Sequence, residues 1–492
     1  MDTRQPYDKK LYDKVSVWLE AHRQQMIEDI MRLVRIPSVS EPKQDKEAPF
    51  GEGCRACLEE MLAIGREHGF HTENYGNRMG SIGEADKDWE HMIGFWNHLD
   101  VVPVGNQWTY PPFDPVVREP FLIGRGSQDN KGPAVGILYV MEALRELGIP
   151  LKHQLCLFVG CDEERGMEDL EYYTAHYPAP KLSMIADCGF PVCYGEKGIV
   201  EGNFHSEGQL SEQVLELAGG NASNMIPDEA FVVLAYSEEL EQALVEKGVF
   251  AESGSGTVTA GHSGDTIRIQ ARGESRHSAF PDGSMNAIHE LADFLAGLDV
   301  LPQADRALFG RLSYLSQEYF GEHTQIAYSD EASGRTTCAA TVLGMAEGRV
   351  TLHFNIRYAI STDQEKMLAG LERTAEENSM RWELIRNSAP NYFPREHPAV
   401  DLLTDLYNEI TGSNKECFVM GGGTYARKLP HAFAYGLGGM EETQEDKRIR
   451  SELFLPGHGG AHEPDEGLNL RLLMEGMKIY AMAVVALNEC EL

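Results

Sequence analysis

The spacing of apolar residues over the first third of the chain predicts helices that alternate with buried strands. Apolar residues recur at helical spacing over residues 12–34, 54–67 and 133–147. Two short apolar runs, residues 92–97 and 154–160, are typical of strands that are buried on both faces. This order favours an α/β domain with a mostly parallel central sheet that is flanked by helices.

Beyond residue 198 the pattern changes to strands with alternating polar and apolar positions, separated by helices. Strands are expected at 199–205, 266–271 and 350–357, and helices at 237–246, 284–298 and 362–378. Amphipathic helices return at 399–410 and 468–487. The simplest architecture is one α/β domain formed by residues 1–198 and 389–492, into which an α+β domain of residues 199–388 is inserted.

The composition limits the partners that the chain can bind. Asp and Glu number 77 against 43 Lys and Arg, and the net charge of −34 opposes contact with nucleic-acid phosphates or anionic lipid. No apolar run reaches the ~20 residues of a membrane span, and the first residues lack the apolar stretch of a signal peptide, so a cytoplasmic protein is expected. Nine cysteines at irregular spacing indicate reduced, buried thiols. Small molecules or cations are the expected partners.

Histidine and carboxylate side chains follow the predicted strands of the first domain. His98 follows the run 92–97, Glu163 and Glu164 follow the run 154–160, and Asp129 and Asp187 stand in later segments. In parallel sheets, ligands bind beyond the carboxyl ends of the strands, where these side chains are expected. Imidazole and carboxylate ligands without cysteine favour Zn²⁺, with Mn²⁺ or Co²⁺ as alternatives, and several carboxylates allow two ions to share one ligand.

The residues of this cluster can have different roles, as metal ligands, as a proton acceptor, or as a group that orients a ligand. If the segment after His98 is extended, Asp100 lies on the same side and is placed to orient the imidazole ring. Of the adjacent Glu163 and Glu164, one can bind a metal ion while the other takes a proton from water. Taken singly, these residues indicate little, because a run of acids is usually a solvated surface and an isolated His462 is usually a surface residue.

Several motifs together give the chain a specific resemblance. It resembles the co-catalytic zinc aminoacylase/carboxypeptidase/dipeptidase family, and within it the monomeric bacterial dipeptidases typified by peptidase V. The motifs occur in the family's order along the chain. They occupy residues 98–103, 108–113, 124–133, 162–164, 195–198, 277–281, 355–358, 421–425 and 462–466.

The resemblance implies a role for each member of the histidine and carboxylate cluster. Glu163 would be the general base that acts on a water held between two metal ions, with Asp100 in a supporting position. His458 competes with His462 as the last ligand, and the family pattern favours His462. The implied ligands are His98 and Asp187 for one ion, Glu164 and His462 for the other, and Asp129 as the bridge.

The resemblance also implies residues that contact the substrate. His277 in the inserted domain would stabilise the oxyanion, Arg357 would pair with the substrate carboxylate, and Asn224 would contact the substrate from the lid. The family holds the bond after the bridging Asp in the cis form, which is Asp129–Asn130 here, and Asn130 replaces the commoner second Asp. Backbone amides that could bind the same carboxylate belong to Gly422, Gly423 and Thr424.

The implied function is hydrolysis of dipeptides by a metallopeptidase that uses two divalent metal ions, with zinc favoured. The long insert resembles the two-lobed lid of the peptidase V branch, which implies a monomer that closes over a short peptide. Two alternatives remain open. One is an N-acyl-amino-acid or N-succinyl amidohydrolase or a carboxypeptidase of the same family, and the other is a non-catalytic metal- or peptide-binding protein.

Overall fold

The computed structural model describes residues 7–250, 257–438 and 440–492, which form two compact units. The first unit comprises the described parts of Met1–Gly195, Tyr392–Val419 and Gly423–Leu492, and the second comprises those of Glu196–Asn391 with Met420–Gly422. The boundaries near residues 195 and 392 lie three residues from the expected ones. The segment Met420–Gly422, expected in the first unit, groups with the second.

The first unit is built around a mixed sheet with a parallel centre, and the predicted α/β class is confirmed. Its strands follow the spatial order His71–Tyr75, Met79–Gly83, Gln154–Gly160, Met92–His98, Leu182–Ile185, Ala432–Tyr435 and Val192–Glu196. The central pairings, between Met92–His98 and its two neighbours and between Leu182–Ile185 and Ala432–Tyr435, are parallel. All seven residues of Met92–His98 are buried, as expected of a strand covered on both faces.

Helices of the first unit supply the apolar surfaces that bury this sheet. Helix Gly132–Glu146 is apolar on nearly every side and is buried along almost its whole length. The predicted helix 468–487 begins two residues too early. Gly467–Asn469 is a strand, and the Asn469 side chain caps the helix Leu470–Leu487. The other α-helices in the described part of this unit are Lys9–Val34, Glu52–Glu67, Glu168–His176, Pro398–Thr411 and Gln444–Leu453.

A small sheet brings two distant parts of the first unit together. Strand Gly467–Asn469 pairs with Phe121–Ile123, which also pairs with Val116–Arg118. The segment that precedes residue 467 therefore lies beside the segment that follows residue 123. This pairing is consistent with the contact between Arg125 and the backbone carbonyl of His462, just before the turn that carries Asp129.

The second unit contains an antiparallel sheet of eight strands. Its two halves are joined by a short pairing in which Ala218 and Gly219 lie opposite Gly344 and Leu343. Four helices, Glu238–Glu246, Ala287–Ala296, Gln303–Ser316 and Gln364–Glu377, contribute to its apolar core. The spatial order of strands is Val258–Ser263, Thr266–Arg272, Glu229–Ala235, Val214–Gly219, Thr337–Ala346, Arg349–Tyr358, Gly198–Ser206 and Met380–Ser388.

Most cysteines are buried, and the described helices differ from those that cross a bilayer. Six of the nine cysteines are buried, and no disulfide joins any of them in the described part of the chain. Among the described helices, none combines the length and the apolar character that a bilayer span requires.

Candidate active site

The first group of predicted ligands meets at one edge of the parallel sheet. His98 ends its strand opposite Gly160, so the chain segments after these two residues leave the sheet at the same edge. The Nε2 atom of His98 lies 2.9 Å from Asp129 Oδ1 and 3.6 Å from Asp187 Oδ2. One ligand atom from each of the three residues lies within 4.8 Å of the others. This spacing suits a single metal ion.

The second group uses the other oxygen of Asp129. His462 Nε2 lies 2.9 Å from Glu164 Oε1 and 3.2 Å from Asp129 Oδ2. These three residues also offer ligand atoms within 4.8 Å of one another. Asp129 therefore belongs to both groups, one oxygen to each, which is the arrangement of a carboxylate that bridges two ions.

The competing histidine, His458, has a different environment. Its Nδ1 atom lies 2.7 Å from Asp465 Oδ2, and the other oxygen of Asp465 accepts hydrogen bonds from the backbone N–H groups of Thr109 and Tyr110. His458 belongs to neither of the two groups. His462 belongs to the second group, and its backbone adopts a φ of 64°, an uncommon conformation for a non-glycine residue.

Asp100 contacts the site differently from the sequence expectation. The His98 ring is oriented chiefly by the backbone carbonyl of Asp100, 2.9 Å from Nδ1, whereas the carboxylate oxygen Oδ1 is 3.5 Å away. Because a carbonyl only accepts hydrogen bonds, Nδ1 carries the proton and Nε2 is left for an ion. The Asp100 carboxylate itself accepts from the backbone N–H groups of Glu163 and Glu164, at 3.1 and 3.0 Å.

Glu163 has a buried carboxylate oxygen that no neighbouring group of the described chain engages. Its Oε1 atom is shielded from solvent and has no hydrogen-bond partner among the described residues. Burial, with the negative charges of Asp187, Glu164 and Asp100 nearby, raises the pKa of Glu163 well above its usual range, and His98 opposes this. A carboxyl group in this position can hold and release a proton.

The electrostatics of the cluster favour binding of cations. Burial raises the pKa of Glu164 to about 7, because its negative charge is poorly solvated. Hydrogen bonds with Asp129 and Glu164 raise the pKa of His462 to about 11. Burial opposes ionisation of Asp129, but hydrogen bonds from His462 and His98 outweigh it and hold its pKa below the usual range. Four carboxylates thus face only two imidazoles, a donor set that fits two divalent cations.

Two residues outside the predicted set hold the turn that carries Asp129. Glu466 is buried, and its Oε1 accepts from the backbone N–H groups of Gln128 and Asp129 at 2.9 and 3.0 Å. Its Oε2 accepts from Arg125 Nη1 at 2.8 Å and from the Gly126 N–H at 2.9 Å. Both residues stand inside the motifs 124–133 and 462–466, which was the only sequence signal for them. The peptide bond Asp129–Asn130 is cis.

Another missed pair holds the turn that carries the two glutamates. The buried Asp169 accepts through Oδ2 from the backbone N–H groups of Cys161 and Asp162, at 2.6 and 2.9 Å. The hydroxyl of Tyr425 donates to the same oxygen. Burial raises the pKa of Asp169 to about 7. No sequence pattern marked Asp169, because it lies inside a run of acidic residues.

Hydrogen bonds orient the His277 ring and hold the backbone of Asn224, two predicted residues of the second unit. The Nδ1 atom of His277 accepts from the Ala279 N–H at 3.1 Å, so the neutral ring carries its proton on Nε2. Burial, with the positive charge of Arg357, lowers the pKa of His277 and favours this neutral form. Asn224 is exposed, and its backbone carbonyl accepts from the N–H of Ser278 at 2.9 Å.

Arg357 is held by two neighbours within the second unit. Its Nε donates to Asn355 Oδ1 at 2.9 Å and its Nη1 donates to the Gly421 carbonyl at 3.0 Å. Of the glycine-rich run, Gly422 groups with the second unit, whereas Gly423 and Thr424 group with the first. The hydroxyl of Thr424 accepts from the Ala426 N–H at 3.2 Å.

A cavity of about 400 Å³ opens beside Asp129 and Asp187 in the first unit. Its wall also contains an ion pair in which Arg450 binds Glu442, with an N to O distance of 2.7 Å. The apolar part of the wall is formed by Pro133, Leu437, Met440, Leu468, Leu472 and Leu473. A small organic group can therefore be placed directly beside the first group of ligands.

The fold and the two residue groups define a metal-dependent hydrolase. The sequence model of peptidase family M20/M25/M40 matches residues 94–486, and the chain belongs to this family. "Putative dipeptidase YtjP" of Bacillus subtilis (strain 168) is 28% identical over 476 residues, which cover 94% of this chain and 97% of that protein. "Putative dipeptidase SSP1012" of Staphylococcus saprophyticus is 30% identical over 428 residues, 84% of this chain and 89% of that protein.

Solved structures show the same fold at low sequence identity. The di-peptidase Dug1p from Saccharomyces cerevisiae has a TM-score of 0.54 and 15% identity, with 97% of this chain and 98% of that chain covered. Human carnosine dipeptidase 1 has a TM-score of 0.52 and 14% identity, with 97% and 100% covered. The fold is therefore shared along nearly the full length of these chains.

Proposed function

We propose that the protein is a metal-dependent dipeptidase, which cleaves the single peptide bond of a dipeptide. The observation that carries the proposal is the position of Asp129. Its two oxygens face His98 and His462 and so join two potential metal sites. The substrate class is supported by the names of the relatives, of which YtjP matches along 97% of its length. Family membership supports the reaction type, which is peptide hydrolysis.

The residues of the cluster would hold two divalent ions, for which zinc is the proposed identity. The donors are imidazole and carboxylate groups, without a cysteine, and this set suits zinc in a catalytic site. When bound, the ions supply Lewis acidity that makes water nucleophilic near neutral pH and polarises the scissile carbonyl. The proposed assignment is His98 with Asp187 for one ion, Glu164 with His462 for the other, and Asp129 shared.

Glu163 is the proposed general base. Its backbone is fixed by Asp100, while its Oε1 atom has no hydrogen-bond partner among the described residues. It can therefore take the proton of the attacking water and deliver it to the departing amine. Glu164 lies 2.9 Å from His462 and is already engaged, which supports assigning the two adjacent glutamates separate tasks.

Residues of the second unit are proposed to bind the substrate. His277 has the protonated Nε2 that an oxyanion needs as a donor, and Arg357 has the guanidinium geometry that suits a carboxylate. Asn224 is exposed next to the His277 loop and is the proposed contact from the lid. Backbone amides in the run Gly422, Gly423 and Thr424 are proposed to bind the same substrate carboxylate.

A substrate panel on the zinc-loaded protein tests the proposal. We expect cleavage of dipeptides with a free α-amine, and no cleavage of their N-acetylated forms or of longer peptides. Cleavage of only the N-acylated compounds would identify an amidohydrolase, and release of single C-terminal residues from longer peptides would identify a carboxypeptidase. Binding of dipeptides without any cleavage would show a non-catalytic binding protein. Glu163→Gln is the inactive control.

A further inference from the structure

Asn130, the residue that follows the shared Asp129, has both amide hydrogens engaged near the first ligand group. Its side chain is 1% exposed. Its Nδ2 atom donates to Asp187 Oδ1 at 2.9 Å and to the backbone carbonyl of Ala186 at 3.0 Å. Asn130 thus binds the Oδ1 atom of Asp187, a predicted ligand, and also the backbone just before it.

A second buried amide fixes the orientation of the first. Asn97, the fully buried residue before His98, donates through Nδ2 to Asn130 Oδ1. If the Asn130 amide were reversed, its oxygen would face Asp187 Oδ1 and the Ala186 carbonyl, both of which only accept hydrogen bonds. Its NH₂ group would face another NH₂ group. The hydrogen-bond chemistry therefore selects the orientation in which Asn130 donates to Asp187.

We infer that Asn97 and Asn130 are positioning residues that hold Asp187 by its Oδ1 atom and leave Oδ2 for the metal ion. This inference rests on the proposed role of Asp187 as a ligand. Oδ2 is the oxygen that lies 3.6 Å from His98 Nε2, so the free oxygen is on the side of the first group. Mutation of a residue that orients a metal ligand in this way commonly lowers the metal affinity by about 10- to 100-fold.

The inference makes a prediction whose sign is opposite to that of simple electrostatics. In Asn130→Asp, the side chain keeps its shape but loses both donors, so Asp187 is no longer held. The added negative charge alone would strengthen binding of a cation. We expect one of the two ions to bind about 10- to 100-fold more weakly and the other to bind with nearly unchanged affinity.

Gln128→Glu is the matched control, because it adds the same charge at the residue before Asp129 and leaves Asn97 and Asn130 unchanged. We expect this variant to bind both ions at least as tightly as the unaltered protein. Isothermal titration of the chelator-treated protein with Zn²⁺ measures the two affinities. The visible absorption of the Co²⁺-loaded protein reports the ligand geometry, and we expect its bands to shift in Asn130→Asp and to be retained in Gln128→Glu.

Asn97→Ala is an independent variant that leaves Asn130 in place but removes the group that orients it. We expect weaker binding of the same ion and a shift of the same Co²⁺ bands, by a smaller amount. The inference is overturned if Asn130→Asp, or Asn97→Ala should Asn130→Asp not fold, binds both ions as tightly as the unaltered protein. If the unaltered protein itself does not take up two ions, the proposed metal assignment is overturned as well.

Discussion

At the scale of single residues, the two adjacent glutamates have different surroundings. Glu164 lies 2.9 Å from His462, whereas Glu163 keeps Oε1 without a partner among the described residues. The same carboxylate, Asp100, holds the backbone N–H groups of both. Neighbours in the chain are thereby given one proposed ligand role and one proposed base role.

Glu163→Gln tests the division between base and ligand. The amide cannot accept a proton from water, so we expect kcat to decrease by about 10²- to 10⁴-fold while two ions remain bound. Metal content is measured by mass spectrometry and kcat with a dipeptide substrate. Glu168→Gln is the control, because Glu168 is an exposed acid on the same segment that pairs with Arg165, and we expect no change. Loss of an ion from Glu163→Gln would contradict the assignment.

The two C-terminal histidines give a second test. His462 Nε2 lies between Glu164 and Asp129, whereas His458 contacts Asp465. We expect His462→Ala to lose one ion and most of its activity. His458→Ala should keep both ions and only lower the melting temperature, because the buried carboxylate of Asp465 loses one of its hydrogen-bond partners. If His458→Ala loses an ion and His462→Ala keeps both, the assignment of the second site must be reversed.

At the scale of elements, the site depends on turns that are fastened by side chains from elsewhere. Glu466 holds the Asp129 turn, and Asp100 and Asp169 hold the turn of the two glutamates. The sequence motifs include Asp100 and Glu466, but they do not indicate which backbone groups these two residues contact. The Asp100 carboxylate, which was expected to orient His98, lies 3.5 Å from Nδ1, and the backbone carbonyl of Asp100, which the sequence did not indicate, lies nearer at 2.9 Å.

A buried histidine connects three helices of the first unit away from the site. His68 lies directly after helix Glu52–Glu67, with Nε2 at 3.0 Å from Asp29 and Nδ1 at 2.6 Å from Glu142. The hydroxyl of Tyr139 also donates to Asp29. Burial opposes protonation of His68, but the hydrogen bonds with the two carboxylates outweigh it and raise its pKa to about 9.

This cluster predicts a loss of stability in alkaline solution. Because the pKa of His68 is raised from 6.5 to about 9 by folding, its stabilising effect is complete below pH 6.5 and is lost as the pH rises through about 9. The shift corresponds to at most about 3 kcal/mol. We expect the unaltered protein to exceed His68→Gln in melting temperature at pH 6.5, and the difference to shrink by pH 9.5. A difference that is independent of pH would contradict this role.

At the scale of the whole molecule, metal ions are expected to contribute to stability. The proposed ions bind the folded cluster and not the unfolded chain, and each tenfold excess over the dissociation constant adds about 1.4 kcal/mol. Chelation should therefore lower the melting temperature, and zinc should restore it. Asp129→Ala, which lacks the shared ligand, should respond much less. An equal response in both proteins would mean that the stabilising ions bind elsewhere.

The monomeric state is also a prediction for the whole molecule. It follows from the resemblance to a branch with a long insert, and light scattering of the metal-loaded protein measures it directly. We expect a mass near 54.8 kDa. Twice that mass over a wide concentration range would contradict the expectation.

The sequence by itself determined the α/β class, the family and the order of the motifs. These depend on local periodicity and on residue types at fixed spacing, which the chain carries before it folds. It could not place the start of the helix after Asn469, because Leu468 and Leu470 both fit the apolar pattern, although Leu468 lies in the strand and Leu470 in the helix. The wrong boundary reflects pairing with Phe121–Ile123, a segment more than 300 residues away.

Only the tertiary structure decided which atoms meet. The sharing of Asp129 between two groups, the engagement of His458 by Asp465 and the hold of Asn130 on Asp187 all join segments that are distant in sequence. Hydrogen bonds of this kind depend on positions within a few tenths of an ångström, which no spacing along the chain encodes. The residue types therefore fixed the chemistry that is available, and the packing of strands and turns fixed which oxygen of each carboxylate is free.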